Sequence, residues 1–198
     1  KLLKAMRGAG ASFTRENELA VKLLLALGCR KMELLASQWA EFDLDAGAWR
    51  IPASRSKIGE SRELPLPAAV IGWLNELKVR ACGSAYVFPA RRTGIRFEHV
   101  SPDTLNAALH GLDHGLEAFT VHDLRRTSRS LMADIGIAFD VAEKILGHKL
   151  PGTAAIYDRG NSLERQRSAL EKLAALIVEL DTGKADTNVI PMSRGVAA

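Results

Sequence analysis

Apolar positions along the chain follow several distinct patterns, and the breaks between them mark out its elements. Residues 16–28, ENELAVKLLLALG, are apolar on nearly every side and stop at Gly28, which predicts a buried helix with a glycine terminator. A short second helix over residues 31–39 follows directly after Arg30. Residues 48–53 and 61–66, AWRIPA and SRELPL, read as strands joined by a loop that holds Lys57 and Gly59. Pro67 opens a helix that runs to about Arg80, since proline is tolerated in a first turn. A third short strand is expected over residues 85–90, AYVFPA, and a further helix from Asp103 to about Gly111.

The second half of the chain is helical in pattern. In HDLRRTSRSLMADIG, Leu124, Ser128, Leu131, Met132 and Ile135 share one side, which places Arg125, Arg126 and Arg129 on or beside the other. Val141, Ala142, Ile145 and Leu146 form the apolar stripe of the next helix, with Gly147 as its stop. Pro151-Gly152 interrupts the chain before a brief helical turn bearing Tyr157. Leu163, Leu170, Leu173, Ile177 and Leu180 then recur at helical spacing on a long amphipathic segment that needs a surface to pack on, and its own domain is the expected one. Residues 182–198 read as a loose tail. The fold class expected is mainly α with one small antiparallel β-sheet (α+β).

Composition narrows the picture only slightly. With 198 residues and 47% hydrophobic residues, the chain is long enough for one domain with its own core. It has no apolar run of about 18 residues, so no transmembrane helix is expected. The start, KLLKAMRGAGAS, has no signal-peptide core and opens on Lys1, which suggests a piece of a longer protein. Cys29 and Cys82 have no metal-ligand spacing, and a reduced, cytoplasmic setting is expected. The net charge of +4 is a weak pointer to a polyanion, but its distribution says more. Arg50, Arg55, Lys57 and Arg62 form one cluster, Arg91, Arg92 and Arg96 a second, and Arg125, Arg126 and Arg129 a third, as where a phosphate backbone is gripped.

Tyr157 lies nine positions after His148, and this spacing raises the question of a nucleophile. A tyrosine attacking a phosphodiester needs fixed guanidiniums for the non-bridging oxygens, because arginine stays charged and donates in a planar fork. Its phenol, with a pKa of about 10, must lose a proton, and the departing oxygen must gain one. Arg30 at a helix junction, Lys57 on a loop, His122 and Arg125 three apart at a helix start, and His148 after a glycine are the groups available. Singly, each has a plainer role. Arg30 can pair with Glu33 or cap a helix, His122-Asp123 can belong to an N-terminal cap, His148 can finish a helix, and Tyr157 can be packing.

Taken in order, LGCRKMELLASQW, the lysine of SRSKIG, HDLRRT, ILGHK and AAIYDR resemble the catalytic domain of the tyrosine recombinases, the phage integrase family, over roughly residues 15–180. FTVHDLRRT with YDR is most similar to integrases of prophages and genomic islands. The resemblance implies that Arg30 and Arg125 clamp a scissile phosphate, that His122 and His148 hydrogen-bond it and assist proton transfer, that Lys57 protonates the leaving 5′ oxygen, and that Tyr157 becomes linked to the 3′ phosphate. It implies double-stranded DNA at attachment sites as partner, a homotetramer of the full-length protein on DNA, and no metal, ATP or other cofactor. It also implies a catalytic domain over residues 1–181, with the N-terminal DNA-binding part of the parent outside this chain. Cys29 stands where the family usually has a larger aliphatic residue and is read as packing. Three other readings compete: a type IB topoisomerase, an inactive DNA-binding regulator, and a metal-dependent hydrolase using His122, Asp123 and His148. All six expected residues are present, which disfavours the regulator, and the hydrolase lacks a coherent ligand motif.

Overall fold

A computed structural model of the chain describes residues 1–56, 59–91, 98–148 and 162–183. Its centre is α2 (Arg15–Leu27), whose residues from Asn17 to Leu27 are all buried. Thr14 caps its start, accepting from the Asn17 N–H, and Gly28 ends it in the left-handed region at φ +58°. Around α2 pack α3 (Lys31–Leu35), α4 (Ala68–Arg80), α6 (Val121–Asp134) and α8 (Ser162–Thr182). The remaining helices described are α1 (Leu2–Gly8), α5 (Thr104–His110) and α7 (Phe139–Leu146). The all-round apolar sequence of α2 follows from this enclosure, since no side of it meets water.

A three-stranded antiparallel sheet, β1 (Phe42–Asp43), β2 (Ala48–Ile51) and β3 (Arg62–Pro65), lies in sequence order. Trp49 pairs with Leu64 and Ile51 with Arg62, and the alternation of β2 buries Trp49 and Ile51 while Arg50 faces out. The mainly α architecture with a small antiparallel sheet is as the sequence suggests, but one strand is misplaced. Residues 85–90 make only isolated bridges, Gln38 to Tyr86 and Pro89 to His99. Pro89 has no N–H to give to a ladder. The true third strand is β1, whose two residues are too short to display a period. The second helix also stops early, at Leu35, where the Ser37 hydroxyl caps the Leu34 carbonyl.

Helix α8 packs on its own domain, against α2, α4, α6, α7 and β3. Ala169, Leu170, Leu173, Ala174 and Ile177 are buried, whereas Leu163 and Leu180, expected in the same stripe, are 47% and 40% exposed. The helix runs through Thr182, one residue into the expected tail, and Asp181 is bound into the fold. Its carboxylate lies 2.6 Å from the ammonium of Lys22, which is also 2.6 Å from Glu18, and 2.9 Å from Arg7. Lys22 is 3% exposed, so two carboxylates are what make its charge tolerable there. Residues 184–198 lie outside the described residues. Among those described, no helix is long and apolar enough to cross a membrane.

Two leucines of α8 should therefore behave differently. Leu173→Ala should cost about 2–5 kcal/mol, because it opens a cavity in the core. Leu163→Ala should change stability by no more than about 0.5 kcal/mol. Urea denaturation of the two variants checks this, and equal losses would mean that α8 does not dock as described.

Candidate active site

Two helix ends bring Arg125 and His148 together, close to Arg30. Gly28 closes α2 two positions before Arg30, and Gly147 closes α7 directly before His148 at φ +64°. Neither position accepts a side chain easily. A Cβ at Gly28 would sit 3.1 Å from Leu146, and one at Gly147 would sit 3.1 Å from the Arg62 guanidinium. Both helices finish with carbonyls that have no partner in their own helix and carry the negative end of the helix dipole.

Arg125 satisfies carbonyls from both ends. Its Nη1 donates to Gly28 O at 2.5 Å, and its Nη2 donates to Leu146 O and contacts His148 Nε2 at 2.9 Å. It is only 7% exposed, so its expected place on the polar side of α6 is corrected. Sequence position 125 borders the stripe of Leu124 and Ser128, and the two carbonyls draw the guanidinium inward. Burial, with the charge of Arg30 adding to it, lowers the Arg125 pKa to about 10, which leaves it cationic at neutral pH. Three of its five N–H groups are used, leaving Nε–H and one Nη1–H without a bond among the described residues.

Arg30 is held by Glu33, the plainer role that the sequence also allowed. The Arg30 N–H donates to Glu33 Oε2 at 2.8 Å, and Nη1 donates to Oε1 at 2.9 Å. Glu33 is 1% exposed and takes a third bond, from Arg62 Nη2 at 2.8 Å. Burial opposes its charge, and the Arg62 cation and the bonds from Arg30 outweigh it, holding the carboxyl below its ordinary range. Arg62 also donates to Ile145 O at 2.6 Å, so it ties α3 and β3 to the end of α7. Its Nε is buried without a partner among the described residues. The Arg55 guanidinium donates to Glu33 O at 3.1 Å and pairs with Glu41, which anchors the chain just before Lys57.

His148 is bound on both ring nitrogens. Nδ1 lies 2.6 Å from Glu143 Oε2, and Arg129 Nε donates to the other oxygen of Glu143 at 2.8 Å. His122, on the first turn of α6, is exposed and makes no hydrogen bond among the described residues. Lys57 and Tyr157 lie outside the described residues. The structure thus joins Arg125 and His148 directly, links Arg30 to them through Glu33, Arg62 and the end of α7, and leaves His122 one turn from Arg125.

Other expectations resolve differently. Asp123 accepts the Thr120 N–H and hydroxyl and pairs with Arg126, which lower its pKa and make it a cap at N3 of α6, with Thr120 as N-cap. His122, Asp123 and His148 therefore do not converge as a metal-ligand set. Cys29 is buried and its thiol is pushed up to about 12 by burial, consistent with packing. Among the described residues, several arginines of the three clusters are engaged within the fold. Arg125 is buried, Arg62 is half-buried and pairs with Glu33, Arg50 pairs with Glu63, and Arg91 bonds Thr14 and Asn17. Arg92 and Arg96 lie outside the described residues. Sequence reasoning named Arg62 and Arg129 only as members of basic clusters, and it missed Glu33 as a shared carboxylate and Glu143. The signal for Glu143 was its place five residues before His148 across a helix-ending glycine.

Among the described residues, Arg30, Arg62, Arg125 and Arg129 set four guanidiniums against the two carboxylates Glu33 and Glu143, an excess of two positive charges. Such an excess, with spare N–H groups on Arg30 and Arg125, suits a bound oxyanion.

The shared carboxylate gives a pH test. The Glu33 pKa is lower folded than its unfolded value of about 4.3, so its stabilisation is present above that pH and lost as pH falls through the folded value. Glu33→Gln should lose about 1.5–3 kcal/mol at pH 7, and its gap from the unaltered protein should narrow below pH of about 4. Urea midpoints across a pH series measure this. A gap independent of pH would show that the carboxylate charge contributes nothing.

Comparison with known proteins gives the family and the fold. Residues 1–164 match the model of the phage integrase family. Prophage integrase IntA of Escherichia coli strain K12 is 28% identical over 184 residues, which is 92% of this chain and 43% of that protein. The chain thus spans less than half of that relative. In fold it is similar to the integrase from mycobacterium phage Brujita, with a TM-score of 0.62, 17% identity and coverage of 88% of this chain and 61% of that one. It is also similar to a lambda integrase tetramer bound to a Holliday junction, with a TM-score of 0.58, 23% identity and coverage of 80% and 47%. With the buried guanidiniums and the Gly-His helix end in place, the match over most of its length means that this chain belongs to the phage integrase family.

Proposed function

We propose that this chain is the catalytic part of a site-specific DNA recombinase that cuts and rejoins duplex DNA through a 3′-phosphotyrosyl intermediate, for integration or excision of a prophage or genomic island. The observation that carries the reading is the direct contact of Arg125 with His148 at the meeting of two helix ends, with Arg30 fixed beside them. In this reading Arg30 and Arg125 hold the non-bridging oxygens of the scissile phosphate. The Tyr157 oxygen forms a bond to phosphorus as the bond to the 5′ oxygen breaks. His122 and His148 contact the phosphate and handle the phenol proton, and Lys57 gives a proton to the leaving oxygen. The phosphotyrosyl bond conserves the energy of the broken one, so a 5′-hydroxyl of another strand reverses the step without ATP.

Residues 1–181 form the catalytic unit of this proposal. DNA-binding parts beyond this chain and the tail after Asp181 take part in assembly. The partner is double-stranded DNA at attachment sites, and the working form a tetramer, as in the lambda integrase complex on a Holliday junction. The arginines, histidines and lysine supply the charge and proton transfers, so no metal is required.

The test is a nicked suicide duplex, from which a covalent protein–DNA adduct should accumulate. Tyr157→Phe should bind DNA but form no adduct, because the substitution removes only the hydroxyl nucleophile. An adduct of undiminished yield would move the chemistry to another residue. Adduct formation should also persist in excess EDTA, and abolition with rescue by Mg²⁺ would revive a metal-dependent reading.

A further inference from the structure

Arg125 is not the only donor that α6 sends to the end of α2. Ser128, one helical turn further on, is fully buried. Its Oγ lies 2.8 Å from Leu25 O, 3.0 Å from Leu124 O and 3.3 Å from Leu24 O. One hydroxyl proton cannot serve three carbonyls at full strength. Leu124 O lies in the body of α6, whose own ladder supplies it, and Leu24 O accepts the Gly28 N–H at 3.0 Å. Leu25 O belongs to the last turn of α2, whose carbonyls find no partner in their own helix, and it is also the nearest. The hydroxyl proton therefore goes to Leu25 O.

Donors a turn apart on α6 thus meet acceptors a turn apart on α2: Ser128 with Leu25 O, and Arg125 Nη1 with Gly28 O at 2.5 Å. A single contact would leave α6 free to roll about it. Two at helical spacing fix both the rotation of α6 and its height along α2. The helices come this close because a glycine stands between them. A Cβ at Gly28 would sit 3.7 Å from Ser128 Cβ and 3.1 Å from Leu146. The two arms differ in length. Serine bonds from its Cβ and so ties one backbone to the other, whereas the arginine stem carries its guanidinium wherever α6 is placed. Packing alone would be served by alanine, which has no hydroxyl to desolvate.

We propose that Ser128 is a positioning residue for Arg125: its hydrogen bond seats α6 on the end of α2 so that the guanidinium spans Gly28 O and Leu146 O and keeps its Nε–H and one Nη1–H for a phosphate. The proposal rests on the recombinase reading above for the identity of that phosphate, and on the helix contacts for the placement of Arg125. Ser128 itself, at 0% exposure, touches neither DNA nor the reacting atoms. Its loss acts through the aim of the guanidinium and not through DNA contact.

The experiment has two arms. Proton–nitrogen spectra of the arginine side chains, with the Arg125 Nε–H signal assigned through its own side-chain carbons, report the guanidinium without DNA. Inorganic phosphate, added at constant ionic strength, should shift that signal in the unaltered protein. In Ser128→Ala the signal should start from a different position, and the phosphate concentration at half the shift should rise about fivefold. In the second arm, adduct formation is timed at saturating concentrations of a nicked duplex that the unaltered protein cleaves. Ser128→Ala should be about tenfold slower at unchanged DNA affinity, as expected when a phosphate-holding group is slightly misplaced. Leu173→Ala, which removes core packing from α8 but no donor, is the control for stability alone. At a temperature where both variants are folded it should keep the rate and the phosphate response of the unaltered protein. Ser128→Cys, a weak donor of similar volume, should fall between Ser128→Ala and the unaltered protein. An unmoved Arg125 signal and phosphate response in Ser128→Ala, or an adduct rate within about twofold of the unaltered protein, would overturn the proposal. Equal slowing in Leu173→Ala would overturn it too, since lost packing would then be the whole effect. Should Ser128→Ala not fold, Ser128→Cys carries both arms, and an unchanged response in it is the overturning result. If the unaltered protein forms no adduct on any duplex, it is the recombinase reading that fails, and the arginine spectra still decide whether Ser128 places Arg125.

Discussion

The end of a helix leaves carbonyls with no partner, and in this protein two such ends, those of α2 and α7, share one buried guanidinium. Arg125 could not stay charged at 7% exposure without acceptors, and Gly28 O and Leu146 O could not be buried without a donor. Each side makes the other affordable. Arg62 repeats the device one residue earlier on α7, at Ile145 O, and extends it to Glu33. Arg125, which would hold a phosphate, is thus also the piece that fastens α6 to the end of α7, and Arg62 fastens β3 there and, through Glu33, α3. The described guanidiniums are held by partners within the fold, as electrostatic stabilisation by fixed donors requires.

The enclosing fold exists to keep those ends fixed. Helix α2 is buried on all sides, so its terminus cannot drift, and α8 closes the domain over α2 and α7. The ion pairs of Lys22 with Glu18 and Asp181 tie the far end of α8 to the middle of α2. Glycines at 28 and 147 allow the chain to turn away at once from the ends of α2 and α7, so that Arg30 and His148 emerge next to the carbonyls that Arg125 binds.

Much of this was legible in the sequence. The unbroken apolar face of α2 and the stripes of α6 and α7 give the helices, and the order of Arg30, Lys57, His122, Arg125, His148 and Tyr157 points to the family. Local patterns failed where the deciding partner is distant. Arg125 borders a buried stripe, and only carbonyls 97 and 21 residues away decide that it turns in. Arg62 reads as a loop-side cation until its partners, 29 and 83 residues away, are known. Leu163 and Leu180 share a helical period with Leu173, but the period does not say where the surface that α8 covers ends. Glu143 was accessible in principle, since a helix-ending glycine returns the next residue to the turn five before it.

The most direct test of this account is a crystal structure of the Tyr157→Phe protein on a nicked duplex. The account predicts the scissile phosphate within hydrogen-bond distance of Arg30, Arg125 and His148, with Arg125 still bonded to Gly28 O and Leu146 O. A phosphate seated elsewhere, or an Arg125 that leaves both carbonyls to reach it, would contradict the claim that the helix ends and the active site are one structure.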